Sequence, residues 1–193
     1  MTAVTGRAAP VLRRDAVRNY ERILAAAREV FGEAGAAACM EDIAARAGVG
    51  VGTVYRRFAS KDALIDELLR LAMDELTAAA ARALERPGGY GLHELLHALG
   101  RSFAEHARYA GLLLERTPDP AATRRIQAAI RELTGRAAAA GTIGPGVSTA
   151  DVMTLVSALR GLAQADAERA ARGWERFLRI HLAGLSAGMP PEG

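Results

Sequence analysis

Apolar side chains recur at three- and four-residue intervals along most of the chain, a spacing that places them on one face of an α-helix. The first such stretch begins at about Arg18, and its apolar positions are Ile23, Ala27, Val30, Phe31 and Ala34. Gly35 follows them, and glycine is typical of the position just beyond a helix end. Two short helices are predicted next, over residues 41–47 and about 51–58, because Gly48 supplies the left-handed residue that ends the first of them. This segment therefore predicts three helices joined by tight turns.

Longer helices are predicted in the rest of the chain. Ser60 is placed to cap the first of them, and Asp62 in its first turn complements the positive end of the helix dipole. Pro87–Gly91 is the clearest break, and further helical patterns follow Pro120 and Ser148. Alanine fills 43 positions whereas aromatic residues make up only 5% of the chain, a composition that favours helices over strands. We therefore expect an all-α protein of about nine helices.

The positive charge of the chain is concentrated near its start. Residues 1–62 hold 10 Lys and Arg against 7 Asp and Glu, whereas the remaining residues hold 15 of each. A basic head on a neutral body is typical of proteins that bind a polyanion, although a solvated surface would also account for it. We divide the chain into a flexible basic arm (1–13), a head (14–62) and a body (63–193).

Composition also bears on compartment and cofactors. No apolar run approaches the roughly 18 to 20 residues that a membrane helix needs, and the first residues lack the apolar core of a signal peptide. Cys39 is the single cysteine, so an internal disulfide framework and a multi-cysteine zinc site are excluded. We expect a cytoplasmic protein with no cofactor and no membrane partner.

The two short helices around Gly48 suggest a helix-turn-helix. The small side chains of Ala44 and Ala47 would let the two helices cross closely, and the second helix would present a polar face. The other interpretation is an ordinary helical hairpin. The sequence from Ile43 to Leu64, IAARAGVGVGTVYRRFASKDAL, then closely resembles the DNA-binding signature of the TetR family of transcriptional regulators. With the upstream helix, the resemblance covers about residues 18–68.

The resemblance implies a DNA-binding regulator, usually a repressor, that binds a palindromic operator as a homodimer, responds to a small apolar effector and is not an enzyme. It implies DNA contacts by the recognition helix and by the start of the next helix, to which we add two arginines of the preceding segment. The expected DNA-binding residues are Arg13, Arg14, Gly52, Thr53, Tyr55, Arg56, Arg57 and Lys61. The sequence departs from the usual family pattern at Cys39, Gly50 and Arg57, so base preferences cannot be transferred.

The body is expected to hold the dimer interface and the effector site. Two apolar stripes near the end of the body are larger than one helix pair needs for its own core, which predicts a dimer interface, although the stripes would also suit packing within one chain. Their residues are Val152, Leu155, Leu159, Trp174, Phe177, Leu178, His181, Leu182 and Leu185. The candidate effector lining mixes aromatic and flexible side chains, namely Phe103, Tyr109, Leu113, Ile126, Ile130, Met153 and Val156. A regulator that senses no ligand is the alternative within the same class.

A different class of function is suggested by residues 93–97, HELLH. Two histidines one helical turn apart can bind zinc, and the glutamate between them can activate water, as in a zinc-dependent hydrolase. A third ligand is missing, because Phe103 occupies the position of the third histidine in the longer motif, and His106 falls about half a helical circumference away. We therefore predict no metal or catalytic site here and interpret the two histidines as partly exposed flanks of an apolar stripe.

Overall fold

A computed structural model describes the backbone of residues 8–188 and the side chains of residues 14–188 except residue 169. This part of the chain is entirely helical apart from its turns, so the predicted all-α class is confirmed. The helices are α1 Ala8–Ala34, α2 Met40–Ala47, α3 Val51–Arg57, α4 Lys61–Glu85, α5 Tyr90–His106, α6 Ala110–Leu114, α7 Pro120–Ala139, α8 Thr149–Ala165 and α9 Ala167–Ala187, with short 3-10 turns at Gly35–Ala37 and Ala107–Tyr109. No described helix combines the length and the apolar composition that crossing a bilayer requires.

The chain divides into two compact units, the first ending at Leu68 and the second beginning at Leu69. The division falls inside α4, a few residues after the boundary proposed from the sequence at residues 62 and 63. Helix α1 begins at Ala8, so residues 8–13 of the expected arm are helical, and residues 1–7 lie outside the described range. Pro10 lies in the first turn of α1, where a missing backbone N–H removes no helical hydrogen bond.

The first unit packs α1 against α2, and α2 against α3, around a small apolar core. Phe31, Ile43, Val54 and Leu64 are completely buried in it. Each of them belongs to a different helix, so α1, α2, α3 and the start of α4 all contribute a buried apolar side chain to this core. The core therefore fixes the orientation of α3, whose opposite face is exposed.

The second unit has a larger core formed by α5, α7, α8 and α9. Leu95, Leu133, Leu159 and Leu178 are buried there with at most 2% of their surface exposed. Most of the two stripes expected to pair with a second copy also belongs to this core, because Val152, Leu155, Leu159, Trp174, Leu178 and Leu182 are all buried within one chain. These six residues pack within one chain, as the internal-packing interpretation of the stripes expects.

Candidate nucleic-acid interface

The turn between α2 and α3 is built from glycine and from a contact with α1. Gly48 has φ 63° and ψ 40°, the left-handed conformation that glycine adopts without strain, and its N–H donates to the carbonyl of Ala44. Arg22 on α1 donates from Nη2 to the Gly48 carbonyl over 3.2 Å. The predicted helix-turn-helix is thus present, and α1 is bonded to its turn.

The start of α2 is capped by an unusual residue. Cys39 Sγ accepts a hydrogen bond from the backbone N–H of Asp42 over 3.4 Å, so a thiol stands where Ser or Thr is the preferred cap. The thiol also donates to the Asp42 carboxylate over 2.9 Å, which raises the pKa of Cys39. The neutral thiol is therefore the form that caps α2.

Helix α3 presents an open polar face. Tyr55 has 46% of its surface exposed, and Arg56 is also exposed and donates from Nη2 to Thr53 Oγ1 over 2.9 Å. Gly52 lies one turn before Arg56, and a Cβ at this position would meet only the Arg56 guanidinium within 4 Å. The backbone of α3 can therefore approach another molecule closely at Gly52.

Arg57 lies differently from its neighbours on α3. Its guanidinium lies over the ring of Tyr20 of α1, 4.6 Å from the ring centroid, in a cation–π contact. Tyr20 in turn stacks on Phe58 at a centroid distance of 6.1 Å, and its hydroxyl donates to the Glu67 carboxylate of α4. Arg57 thus braces α3 against α1 from the edge of the exposed face.

Lys61 is also held by the protein. Its Nζ donates to the carbonyl of Ala36 over 2.7 Å and to that of Ala38 over 3.2 Å, in the connection between α1 and α2. An ammonium group carries three N–H donors, so two bonds leave one donor for a further acceptor. Lys61 therefore both joins α4 to this connection and keeps a positive charge near α3.

Other cations of the first unit differ in how far the protein neutralises them. Arg46 on α2 bonds Glu29 over 2.9 Å and Glu33 over 2.8 Å, and these two carboxylates raise its pKa, so its charge is neutralised within the protein. Arg14 is exposed, whereas the side chain of Arg13 lies outside the described residues.

The sequence did not predict the structural roles of Arg22, Arg46 and Tyr20, because a contact between helices that are distant in the chain leaves no signal in local spacing.

The second unit contains a cavity of about 290 Å³. It is lined by parts of α4, α5, α6 and α8 and by the segment after α6. Phe103 and Leu113 of the expected effector lining are there, together with His106, which bonds the Ser102 carbonyl through Nδ1 over 2.6 Å. The other expected lining residues do not reach it; Tyr109, Ile126 and Ile130 are buried, and Met153 and Val156 pack against the main core.

His93 and His97 line an open groove between α5 and α9 with Arg101, Trp174 and Arg179. The His97 ring meets Trp174 edge-on at 6.1 Å, and burial together with the charge of His97 lowers the pKa of His93. Among the described residues, no group of three or more His, Cys, Asp or Glu side chains is arranged to hold a metal ion.

Three residues of the expected dimer stripes keep some exposure. Phe177 and Leu185 pack partly buried against the main core. His181 is exposed, its Nδ1 lies 2.8 Å from the Phe177 carbonyl oxygen and its ring lies 4.0 Å from that of Phe177. Beside them on α9, Ile180 is 56% exposed.

Comparisons with known proteins agree with this geometry. The family model described as "Bacterial regulatory proteins, tetR family" matches residues 23–68, and one described as "Transcriptional regulator SbtR-like, C-terminal domain" matches residues 96–187. Comparison with curated proteins gives no match.

Solved structures of similar proteins cover nearly the whole chain. The TetR transcriptional regulator SCO0520 from Streptomyces coelicolor is 31% identical over 88% of this chain and 99% of its own, with a TM-score of 0.63. The TetR transcription regulatory protein from Mycobacterium vanbaalenii is 30% identical over 90% of this chain and 98% of its own, also with a TM-score of 0.63. A transcriptional regulator from Rhodococcus is 26% identical over 89% and 98% of the two chains, with a TM-score of 0.58. With its braced helix-turn-helix and this extent of similarity, the chain belongs to the TetR family of DNA-binding transcriptional regulators.

Proposed function

We propose that this regulator is a cytoplasmic repressor that binds a palindromic operator as a homodimer and is released by a small-molecule effector. The observation that carries the proposal is the polar face of α3, which carries the exposed Tyr55 and Arg56 and the half-buried Thr53. This helix packs on α2 and contacts α1 through Arg57. A helix of this kind fits the major groove of B-form DNA, where side chains reach the base edges.

The contacts proposed for DNA fall into two kinds. Arg56 is the candidate for reading a base, because its planar guanidinium matches the O6 and N7 acceptors of guanine, although a phosphate suits it equally. Tyr55, Arg57 and Lys61 are proposed to contact phosphates, with Gly52 allowing the close approach. Arg13 and Arg14 are proposed to enter the neighbouring minor groove.

The proposed dimer uses the faces of α8 and α9 that one chain leaves uncovered. On α8 the exposed positions include Ser157, Ala158 and Gly161, whose small side chains allow a close approach of a second helix. On α9, Ile180 is 56% exposed and lies one turn before Gly184. An isologous four-helix contact would present two copies of α3 to two half-sites about one DNA turn apart, roughly 34–36 Å.

The effector is proposed to bind in the 290 Å³ cavity of the second unit. Leu69 and Leu76 from α4 belong to its lining, and α4 begins at Lys61 beside the helix-turn-helix. A ligand that favours one arrangement of α4 over another would change the spacing of the two recognition helices.

The test selects DNA from a random pool with the purified full-length protein. An inverted repeat is expected, and Arg56→Ala should weaken binding to it. The control Arg131→Ala, which removes an exposed charge from α7, should not. Placing the repeat over a promoter in a purified transcription system should then lower transcript yield when the protein is added. Recovery of direct repeats or single half-sites would contradict the palindromic dimer, and a raised yield would contradict repression.

A further inference from the structure

The lining of the effector cavity is mostly apolar, and it contains basic but no acidic side chains. Ten of its fifteen residues are apolar, and the others are Ser102, His106, Arg116, Arg160 and Gln164. No Asp or Glu is among the fifteen. Apolar walls with a few placed polar groups are typical of small-molecule sites, and the polar groups decide which ligand is accepted.

The size of the cavity limits the ligand. Its volume of about 290 Å³ is roughly ten times the share of liquid volume that one water molecule occupies. That space suits a molecule on the order of ten to fifteen non-hydrogen atoms.

The five polar groups differ in exposure: Ser102 is buried, His106 and Arg116 are half-buried, and Arg160 and Gln164 are exposed. Arg160 and Gln164 are exposed and lie one turn apart on α8, whereas Leu76 and Ala163 are buried. Within one chain, Arg160 forms no hydrogen bond or ion pair with another described residue, so no carboxylate among those residues neutralises its guanidinium. The cavity therefore combines mostly apolar walls with one cationic side chain, Arg160, at its solvent-exposed edge.

The geometry points to an amphipathic monocarboxylate as the effector, with its apolar body against Leu76, Phe103 and Leu113 and its carboxylate paired with Arg160. This inference rests on the effector site proposed above and adds the charge of the ligand to it. A guanidinium matches a carboxylate with two parallel hydrogen bonds, and a pair at the edge of an apolar cavity is stronger than one in bulk water. The positive charge of Arg160 at this edge disfavours a cationic ligand.

The test uses three probes that share one aliphatic chain and differ in head group: octanoate, octanamide and octylamine. Calorimetric titration of the full-length protein should show octanoate binding once per chain and at least about tenfold more tightly than octanamide, with octylamine weakest. Arg160→Gln should remove this preference by weakening octanoate binding about tenfold while leaving octanamide unchanged. The control Arg131→Gln, an exposed arginine on α7 outside the lining, should leave all three affinities unchanged.

Three results would overturn the inference: equal or tighter binding of octanamide in the unsubstituted protein, the same octanoate preference in Arg160→Gln, or no octanoate binding at millimolar concentration. Arg160 is exposed, so its substitution leaves the core intact, and equal melting temperatures of the two proteins without ligand check this.

An operator titration with each bound probe separates this inference from the proposed function. If octanoate binds through Arg160 but leaves operator affinity unchanged, the carboxylate inference stands and effector release fails. If a neutral ligand binds more tightly and lowers operator affinity, effector release stands and the carboxylate inference fails.

Discussion

At the scale of single residues, the first unit uses two of its expected DNA contacts as structural braces. Arg57 lies over the ring of Tyr20, and Lys61 is bonded to the carbonyls of Ala36 and Ala38. A side chain held in place in the free protein loses less conformational entropy when it meets a phosphate. Bracing and DNA contact are therefore compatible functions of one residue.

Lys61→Ala should change both stability and DNA binding. Loss of the two bonds from the ammonium should lower the free energy of unfolding by about 1–2 kcal/mol, because a hydrogen bond to a charged group stabilises more than a neutral one. Loss of one phosphate contact should make the dependence of log affinity on log salt shallower by about one unit. Urea denaturation and operator titrations at several salt concentrations measure the two effects.

The matched control is Arg70→Ala, which removes a cation from the exposed surface of the same helix. Its salt dependence should stay that of the unsubstituted protein. An unchanged salt slope in Lys61→Ala, with the stability loss alone, would contradict the phosphate contact and leave Lys61 as a brace.

At the scale of helices, the start of α8 is stabilised by two side chains that bond each other and the backbone. Ser148 and Asp151 form a capping box at the start of α8, in which the Asp151 carboxylate accepts from the Ser148 N–H over 2.8 Å and from its hydroxyl over 2.6 Å. These bonds favour the ionised carboxylate and lower the pKa of Asp151.

The capping box should give α8 an acid-sensitive start. Because the folded pKa of Asp151 is below the unfolded value of about 3.9, its contribution is complete above that value and is lost as pH falls through the folded pKa. Asp151→Asn should therefore lower the melting temperature at pH 7, and the difference from the unsubstituted protein should shrink as the pH falls below about 4. Thermal melts across this pH range test it, and a difference that stays constant would contradict it.

Gly100 on α5 is required by the ring of Trp174 on α9. A Cβ at Gly100 would lie 2.5 Å from Trp174 Cε3 and 2.8 Å from Cζ3, inside any real contact distance. Gly100→Ala should therefore lower the free energy of unfolding by about 1–3 kcal/mol despite the better helix propensity of alanine. Gly135→Ala on α7 is the control, because a Cβ there would meet no described atom within 4 Å apart from its chain neighbours and the nearby backbone of α7, and it should raise stability by about 0.5–1 kcal/mol. Equal effects in urea denaturation would contradict the predicted clash.

A helix end could be predicted from the sequence where its backbone conformation or its unpaired N–H groups require a particular type of residue. Gly48 was expected to end α2 in the left-handed conformation, and Ser148 was expected to cap α8 with Asp151; the structure has both. The start of α1 at Ala8 was missed because residues 8–17 lack the apolar stripe that marked the helix from Arg18. Alanine and arginine favour the helix there through propensity alone.

The partners of the apolar faces could not be predicted in the same way. Periodicity shows that Trp174 and Leu178 face an apolar surface, but one helix's pattern does not say whether that surface belongs to the same chain or to another. Both residues pack internally on α5 and α8. Of the expected effector lining only Phe103 and Leu113 line the cavity, because its lining joins residues from four helices with no shared spacing.

At the scale of the whole molecule, the proposed dimer should depend on the exposed face of α9 rather than on its buried stripe. Ile180→Arg adds a charge at a position 56% exposed in the single chain, so the fold should persist while the contact with a second copy is lost. Tyr90→Arg is the control, because Tyr90 is 71% exposed at the start of α5 and belongs to neither α8 nor α9. Sedimentation at micromolar concentration should give a monomer for Ile180→Arg and a dimer for the other two proteins; a monomer for all three would contradict the proposal.

Effector release requires the cavity and the helix-turn-helix to be energetically coupled, and α4 is the continuous element that belongs to both units. A coupling free energy of about 1–3 kcal/mol would change operator affinity roughly 5- to 150-fold. Because such coupling is reciprocal, the operator must weaken effector binding by the same factor. The test takes a ligand that raises the melting temperature and measures its affinity with and without operator, and the affinity of the operator with and without the ligand. The factor by which operator weakens ligand binding should equal the factor by which the ligand weakens operator binding. Equal ligand affinities in both titrations would show that this ligand does not drive release, because binding that is blind to DNA cannot shift the DNA equilibrium.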